Sequence, residues 1–304
     1  MSQNSSASAV LSAGHASQSN LRGALFMVLA MLAFAVEDVL LKTVGAQLPA
    51  SQVLLGFGLG GLVVFFCVAK ASGERLVTRD AFSPVMRVRF CFEIVARLFY
   101  ILALTLTPLS ATTAILQATP IVVVMGAAFL FGEKVGWRRW TAILVGLGGV
   151  LIVLRPGTDS FSPLSILAVI GMLAFAARDL ASRAAPAGLA TSVLGFYGYI
   201  AVIVAGLAYA AWEQKPFVMP DVATSLALAV CVALGTIAYV SLMKAMRTGE
   251  VSVVTPFRYS RLLFGLTLGV VVFGETLDLP MIIGSVVIVL SGLFILVRSR
   301  KVRG

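Results

Sequence analysis

The sequence is built from ten apolar blocks, each about 17 to 25 residues long, which is the length a helix needs to cross a bilayer. Of the 304 residues, 60% are hydrophobic and 12% are charged. The charged share of a soluble domain is about twice as high. We therefore predict an all-α polytopic membrane protein with ten transmembrane helices and the lipid bilayer as its main partner.

Short polar loops separate the predicted spans and hold most of the charges. Residues 1–20, rich in Ser and Ala, are predicted to be a disordered cytoplasmic tail, and residues 299–304 a basic cytoplasmic tail. The predicted spans are Gly23–Leu41, Gln52–Val68, Val85–Thr105, Ala111–Phe131, Trp140–Leu154, Leu164–Leu180, Leu189–Trp212, Val222–Met243, Val251–Phe273 and Leu279–Val297.

The second half of the sequence repeats the first at a nearly constant distance. Met31–Asp38 (MLAFAVED) recurs as Met172–Asp179 (MLAFAARD), and the Phe-Gly-Glu element ending at Glu133 recurs at Glu275. Each half carries five spans. Because five is odd, the second half enters the membrane from the opposite face, so the halves are inverted repeats. This architecture is typical of secondary transporters, in which two equivalent packings open a midplane site to either side.

Lys and Arg are distributed unevenly between the two faces of the membrane. With the N-terminus inside, seventeen of the 23 basic residues fall on the cytoplasmic side and three on the other, while Arg97, Arg258 and Arg261 lie within spans. The positive-inside rule then predicts cytoplasmic N- and C-termini. The same rule accounts for the net charge of +10 without a nucleic-acid partner.

The residue inventory argues against an enzyme, a metal site or a cofactor. The one histidine, His15, lies in the N-terminal tail, and no Gly-Lys dipeptide is present to form a phosphate-binding loop. Cys67, Cys91 and Cys231 lack metal-ligand spacing and fall in apolar blocks, where cysteine packs as a small apolar residue.

Two five-span halves, the duplicated Phe-Gly-Glu elements and a Gly-rich helix after each make the chain resemble the EamA family of the drug/metabolite transporter superfamily. The resemblance covers two repeats, residues 21–155 and 156–298. It implies a multi-pass carrier of the bacterial inner membrane that moves a small organic metabolite by alternating access. It also implies a central cavity lined mainly by the first, third, fourth, sixth, eighth and ninth helices.

Several functional alternatives stay open at this stage. Within transport, import of a vitamin-like or nucleoside-type compound, such as riboflavin or an adenosyl compound, competes with export of amino acids. Outside transport, the alternatives are an intramembrane lipid or acyl transferase and a lipid flippase. The Gly56-x-x-x-Gly60 pattern allows close helix packing and could support a homodimer.

Charged residues within spans are costly and point to function or to ion pairs. Asp38 and Lys42 are four residues apart on one helix face, as are their repeat mates Asp179 and Arg183, which predicts two structural ion pairs. A role in gating or binding is the alternative. Glu37 has Arg178 as its mate, and this reversal of charge predicts that Glu37 faces the substrate pathway.

The third span carries Arg89, Glu93 and Arg97 at four-residue steps, hence on one face. Arg97 lies roughly 18 Å beyond the start of the span, near mid-bilayer. Either Glu93 neutralises it, or it holds an anionic group of the substrate. The acids available for proton coupling are Glu37, Asp38 and Glu93.

The ninth span begins with a polar stretch that supplies further candidates for the pathway. Arg258 and Arg261 are three residues apart with Tyr259 between them, and Gln117 occupies the corresponding region of the fourth span. Pro120 and Pro256 each remove a backbone donor and are predicted to act as helix hinges.

Overall fold

The structure, a computed structural model, describes residues 3–132, 135–155, 162–186, 188–248 and 254–300. Within these ranges the chain forms helices and short loops, without strands. The helices are α1 (Gln3–Gly45), α2 (Ala50–Ala71), α3 (Pro84–Leu106), α4 (Leu109–Leu116), α5 (Thr119–Leu130), α6 (Trp137–Leu154), α7 (Ser165–Arg183), α8 (Thr191–Glu213), α9 (Val222–Thr248), α10 (Ser260–Phe273) and α11 (Leu279–Arg300), with 3-10 helices at Asp80–Phe82 and Thr255–Tyr259.

These elements correspond to the ten predicted spans. The fourth span is divided into α4 and α5, and the ninth consists of the 3-10 helix Thr255–Tyr259 followed by α10. Six segments of the described chain are long and apolar enough to cross a membrane. α3 is long enough but carries four charges in its sequence, which is why hydropathy alone does not select it. Large apolar side chains such as Leu144, Leu207 and Val271 point outward from the bundle, as expected for contact with lipid.

The N-terminal region differs from the predicted disordered tail. α1 begins at Gln3, so the first helix continues through residues assigned to the tail. The segment contains no Pro to stop the helix, and Ala, the residue with the highest helix propensity, recurs along it between the more numerous Ser residues.

The second helices of the two halves run antiparallel to each other. In the contact between α2 and α8, Gly58 lies against Ile203, and Phe65 lies against Gly195. Between these two contacts the residue number rises from 58 to 65 in α2 and falls from 203 to 195 in α8, so the two helices run in opposite directions. Because these two helices are repeat mates, their opposite directions show that the halves are inverted, which confirms the prediction.

The remaining contacts between the halves follow the same symmetry. The fifth helices, α6 and α11, also run antiparallel, with Gly149 against Gly284 and Gly146 against Ser291. α1 packs mainly on α9, and α3 mainly on α7. α1 and α7 are repeat mates, and so are α3 and α9. Exchanging the two halves therefore turns the contact of α1 with α9 into the contact of α7 with α3, as expected for inverted repeats related by a two-fold axis.

The helix break in the fourth span has a counterpart in the ninth. Backbone turns at Gln117 and Ala118 separate α4 from α5, and Pro120 is the second residue of α5. Pro256 lies in the 3-10 helix that precedes α10. Interrupted helices are found in transporters next to binding sites, because they free backbone groups there. Whether either proline acts as a hinge remains a prediction.

The Gly56-x-x-x-Gly60 pattern is used within the chain. Side chains added at Gly56 and Gly60 would run into Leu228 and Val232 of α9. The two glycines therefore let α2 and α9 approach closely, and this motif gives no surface for the predicted homodimer.

Candidate functional site

A cavity lies between the two halves and is lined by both. The first half contributes Phe34 and Glu37 from α1 and three charged residues from α3, and the second half contributes parts of α7, α8 and α9. The cavity has about 440 Å³ of space between protein atoms, part of it open to solvent. Its full lining is Phe34, Glu37, Arg89, Glu93, Arg97, Arg178, Leu194, Gly195, Gly198, Tyr199, Val202, Gly235 and Tyr239.

This lining differs from the one that the family resemblance implies. Four of the expected spans line the cavity: the first (α1), the third (α3), the sixth (α7) and the eighth (α9). The seventh span, α8, was not expected there but forms a large part of the wall. The fourth span (α4 and α5) and α10 of the ninth span were expected to line the cavity and do not. Gly198 leaves open space in the wall formed by α8, beside Tyr199, whereas the space left by Gly195 is taken by Phe65.

The carboxylate of Glu93 is the centre of a charge cluster on the cavity wall. It is 2% exposed and interacts with three arginines. Arg97 Nε is 3.2 Å and Arg178 Nη1 is 3.3 Å from Glu93 Oε1, while Arg89 Nη2 is 3.6 Å from Oε2. Both Arg97 and Arg178 also face the ring of Phe175, at 5.7 and 4.8 Å from its centroid. One acid thus holds arginines from both halves.

Glu37 lies across the cavity on α1 and has a different environment. Its side chain is buried, with 3% of the residue exposed, and Gly235 of α9 leaves space beside its Oε1 atom. Among the described residues, its Oε2 atom has no hydrogen-bond partner. No Lys or Arg of the described chain lies within ion-pair distance of it, in contrast to Glu93. A buried carboxylate left in this state is costly, which marks Glu37 as a site for a ligand or a proton.

Aromatic rings surround these charges. Tyr199 stacks on Phe65 with ring centroids 5.5 Å apart, and Tyr239 meets Phe65 edge-on at 5.2 Å. Phe34 lies beneath the guanidinium of Arg261 at 5.1 Å. The cavity therefore combines charged groups with flat apolar walls, which is the usual composition of a site for a small organic molecule.

Asp38 belongs to a second polar cluster beside the cavity, and its predicted pairing with Lys42 is wrong. Arg261 Nη2 lies 2.8 Å from Asp38 Oδ2, and Tyr100 donates a hydrogen bond to Asp38. Lys42 instead donates to the backbone carbonyls of Leu104, at 3.1 Å, and Thr107. The spacing of four residues put both side chains on one helix face, but partners on other helices compete successfully for each.

The predicted pairing of Asp179 with Arg183 stays a prediction, and the structure shows a different partner of Asp179. The adjacent Arg178 donates from Nη2 to Asp179 Oδ1 at 2.7 Å, and it also bonds Glu93. The side chain of Arg183 lies outside the described residues.

Three residues predicted for the pathway lie away from the cavity. Gln117 donates from Nε2 to the backbone carbonyl of Arg258 at 3.3 Å, so it joins the two interrupted helices. Arg258 is half-buried and does not line the cavity. Tyr259 is buried against Gly292 of α11, where a larger residue would collide with its hydroxyl group. Glu37 and Arg97 do reach the cavity wall, and Arg261 lies just behind it.

The two halves are tied together at the face where α1 ends. Glu275, which follows α10, accepts hydrogen bonds from the backbone N–H groups of Leu109 and Ser110 at 2.6 and 2.9 Å, at the start of α4. Arg155 at the end of α6 pairs with Asp278, and this hydrogen bond lowers the pKa of the Asp278 carboxyl. The repeat mate Glu133 lies outside the described residues.

The ties lie at the face where α1 ends, whereas the cavity extends from the middle of the bundle toward the opposite face. Arg89, Leu194 and Arg178 line it from the early parts of α3 and α8 and the late part of α7, and Phe34 and Glu37 line it near the middle of the spanning part of α1. The face where α1 ends is closed by contacts between the halves. This is the arrangement expected for one of the two packings of an inverted-repeat carrier.

Sequence reasoning did not find Tyr199, Tyr239 or Gly198. None of the three carries a charge, and tyrosines and glycines are common in membrane helices, so no sequence signal set them apart. Arg178 was noticed only as the repeat mate of Glu37, and the structure places both at the cavity.

The sequence matches the EamA-like transporter family over residues 21–155 and 163–297. The first match has the bounds of the predicted first half, and the second differs from the predicted second half by a few residues at its start.

Curated relatives cover nearly the whole chain. An S-adenosylmethionine uptake transporter of Rickettsia prowazekii is 24% identical over 282 residues, which are 92% of this chain and 94% of the relative. A riboflavin transporter of Vibrio cholerae is 28% identical over 279 residues, covering 90% and 93%. The pseudopaline exporter CntI of Pseudomonas aeruginosa is 27% identical over 275 residues, covering 88% and 94%.

A solved crystal structure shares the fold. It superposes with a TM-score of 0.62 at 22% identity, over 90% of this chain and 98% of the other. The family match extends over most of the sequence and both repeats, and the helix arrangement agrees with it. The chain belongs to the EamA-like transporter family.

Proposed function

We propose that this protein is a secondary transporter that moves a small organic metabolite across the bacterial inner membrane by alternating access. The observation that carries the proposal is the position of the polar cavity. It lies between two inverted halves, both halves line it, and one face is closed by contacts between them. Rearranging the halves about their symmetric contacts would close the cavity to one side and open it to the other.

We propose cytoplasmic N- and C-termini, on the basis of the uneven distribution of Lys and Arg. With this orientation, the face that is closed by contacts between the halves is the periplasmic one. A carrier of this kind works in both directions, so the substrate and ion gradients decide between import and export. Charges and aromatic rings in the cavity favour a polar organic solute over a lipid, and hence a transporter over a flippase or a lipid transferase.

Glu37 is the acid that we propose for proton coupling, if transport is coupled to protons. Asp38 is neutralised by Arg261, and Glu93 by three arginines, whereas Glu37 has no ion pair in the described part of the chain. A carboxylate without a fixed counter-charge can gain or lose a proton without breaking the structure around it.

The names of the relatives suggest the first substrates to test. One is named for uptake of S-adenosylmethionine, one for transport of riboflavin and one for export of pseudopaline. An adenosyl compound and a flavin are therefore the first candidates, and an amino acid, the export candidate that the family resemblance raises, is tested beside them.

Counterflow in proteoliposomes tests the proposal. The purified protein is reconstituted, the liposomes are loaded with unlabelled compound, and uptake of labelled S-adenosylmethionine, riboflavin or an amino acid is measured. We expect unlabelled compound inside to accelerate uptake of at least one label, because a carrier exchanges solutes across a single alternating site. Protein-free liposomes are the control. A folded protein that exchanges no member of the panel would contradict the choice of substrates, and one that leaks label without such acceleration would contradict the carrier mechanism.

A further inference from the structure

Two opposite charges in the cavity are held apart, although attraction should bring them together. Glu37 and Arg97 both line the cavity and are near enough to interact electrostatically. They form no ion pair in the described structure. In a site shielded from water, an acid and an arginine that are free to move would be expected to pair.

Arg97 is fixed in its place by contacts that do not involve Glu37. Arg97 is held from Nε by Glu93 and lies over the ring of Phe175. Its two terminal nitrogens have no hydrogen-bond acceptor among the described residues, and the side chain is 21% exposed. The planar end of the guanidinium is thus available, in the geometry that binds a carboxylate through two parallel hydrogen bonds.

Glu37 offers the complementary group from the opposite wall. Its buried Oε2 atom accepts no hydrogen bond from the described residues. Gly235 lies so close to its Oε1 atom that an added Cβ would sit 3.1 Å away. The absence of a side chain at this position therefore gives the carboxylate room. An ammonium group of a ligand could donate a hydrogen bond to the Glu37 carboxylate and neutralise its charge.

The charges of the cavity balance when Glu37 is ionised. Arg89, Arg97 and Arg178 face the acids Glu93 and Asp179, which leaves one positive charge that Glu37 offsets. A ligand that brings one positive and one negative group keeps this balance. A ligand with a single charge would disturb it at a cost that a low-dielectric site makes large.

We propose that the cavity binds a zwitterion, with the cationic group on Glu37 and the carboxylate on Arg97. The flat rings of Tyr199 and Tyr239 would contact the apolar or aromatic body of the same molecule. The inference rests on the proposed transport function, because it assigns the substrate class of the same cavity. The class is an amino acid or a metabolite that carries an amino-acid group.

Binding to the full-length protein in nanodiscs tests this assignment separately from transport. Two probe sets are titrated calorimetrically. The first is L-phenylalanine with 2-phenylethylamine and 3-phenylpropanoate, which each lack one charged group, and the second is S-adenosylhomocysteine with 5′-methylthioadenosine, which lacks both. In at least one set we expect the zwitterion to bind about ten- to a hundredfold more tightly than the analogues that lack a charged group, as for a charge-assisted hydrogen bond.

Two substitutions assign the two ends. E37Q should bind L-phenylalanine and 3-phenylpropanoate, which lacks the ammonium group, equally well, but should still bind 2-phenylethylamine more weakly. R97Q should bind L-phenylalanine and 2-phenylethylamine, which lacks the carboxylate, equally well, but should still bind 3-phenylpropanoate more weakly. Glu93 keeps Arg89 and Arg178 as partners in R97Q, so the charge cluster is not dismantled. E74Q, in the exposed loop after α2, is the control and should bind like the unaltered protein.

The inference is overturned if no zwitterion outbinds its analogues, or if E37Q and R97Q weaken all probes of a set equally. Selective zwitterion binding without exchange in liposomes would contradict the proposed transport function and leave the zwitterion site in place. Exchange of a compound that lacks one of the two charges, without zwitterion binding, would support transport and contradict the zwitterion site.

Discussion

Replacing Glu93 by Gln is expected to cost about 3 to 5 kcal/mol of stability, which is the range for removing one partner of a buried ionic cluster. Arg89, Arg97 and Arg178 all depend on this carboxylate. With a neutral amide at position 93, the three positively charged guanidinium groups would repel one another around a buried side chain, since Glu93 is only 2% exposed. Arg178 comes from the second half, so the contact between α3 and α7 should loosen as well.

Thermal unfolding of the purified protein in nanodiscs measures this effect. E93Q should unfold at a clearly lower temperature than the unaltered protein, and E93D, which keeps the charge, should fall between them. E74Q is the matched control because it makes the same chemical change at an exposed loop residue. Equal unfolding temperatures for E93Q and E74Q would show that the cluster does not stabilise the contact between the halves.

Replacing Gly198 by Leu is expected to lower transport by about tenfold or more, in line with the sensitivity of such sites to small displacements of a ligand. Among the described residues, the nearest atom to a Cβ at this position is Glu93 Oε2, at 4.0 Å, so a new side chain would start in the cavity without meeting a neighbouring helix. It would take space that the substrate needs, next to Tyr199 and Glu93.

The control for this variant is Gly148→Leu on α6. An added Cβ there would meet no atom of the described residues within 4 Å, and Gly148 is not part of the cavity. G148L should transport normally and G198A should show an intermediate defect, while all three variants keep the unfolding temperature of the unaltered protein. Normal counterflow by G198L would mean that substrate does not pass through this cavity.

The architecture could be predicted from the sequence because its determinants are local or repeated. Span lengths are fixed by bilayer thickness, and the odd number of spans per repeat dictates inversion. The contacts of Gly58 with Ile203 and of Phe65 with Gly195, which run antiparallel, confirm the inversion. The site was predicted only in part. The reversed charge between Glu37 and Arg178 singled out Glu37, and both residues lie at the cavity.

The errors come from contacts between distant parts of the chain. Asp38 was expected to pair with Lys42 on the same helix, but Arg261 lies 223 residues away in sequence and bonds it instead. The rule for residues four apart ranks neighbours on one helix and contains no information on helices packed beside it. Gly198 carries no charge, and nothing in the sequence distinguishes it from other glycines. The role that we predict for it follows from the space that it leaves in the cavity.

Accessibility of the cavity from each side of the membrane tests the central claim most directly. Cys67, Cys91 and Cys231 are replaced by Ala, and Gly198→Cys is introduced as a single thiol in the cavity wall. Right-side-out and inside-out vesicles are then treated with a membrane-impermeant maleimide, with and without transported substrate. Gly148→Cys, away from the cavity, serves as the control.

An alternating carrier exposes the cavity to each side in turn. The thiol at position 198 should therefore react from both sides, and substrate should change the two rates in opposite directions. The thiol at position 148 should react from neither side. Reaction of position 198 from one side only, under every condition, would contradict the claim that the two inverted halves alternately open one cavity to either face.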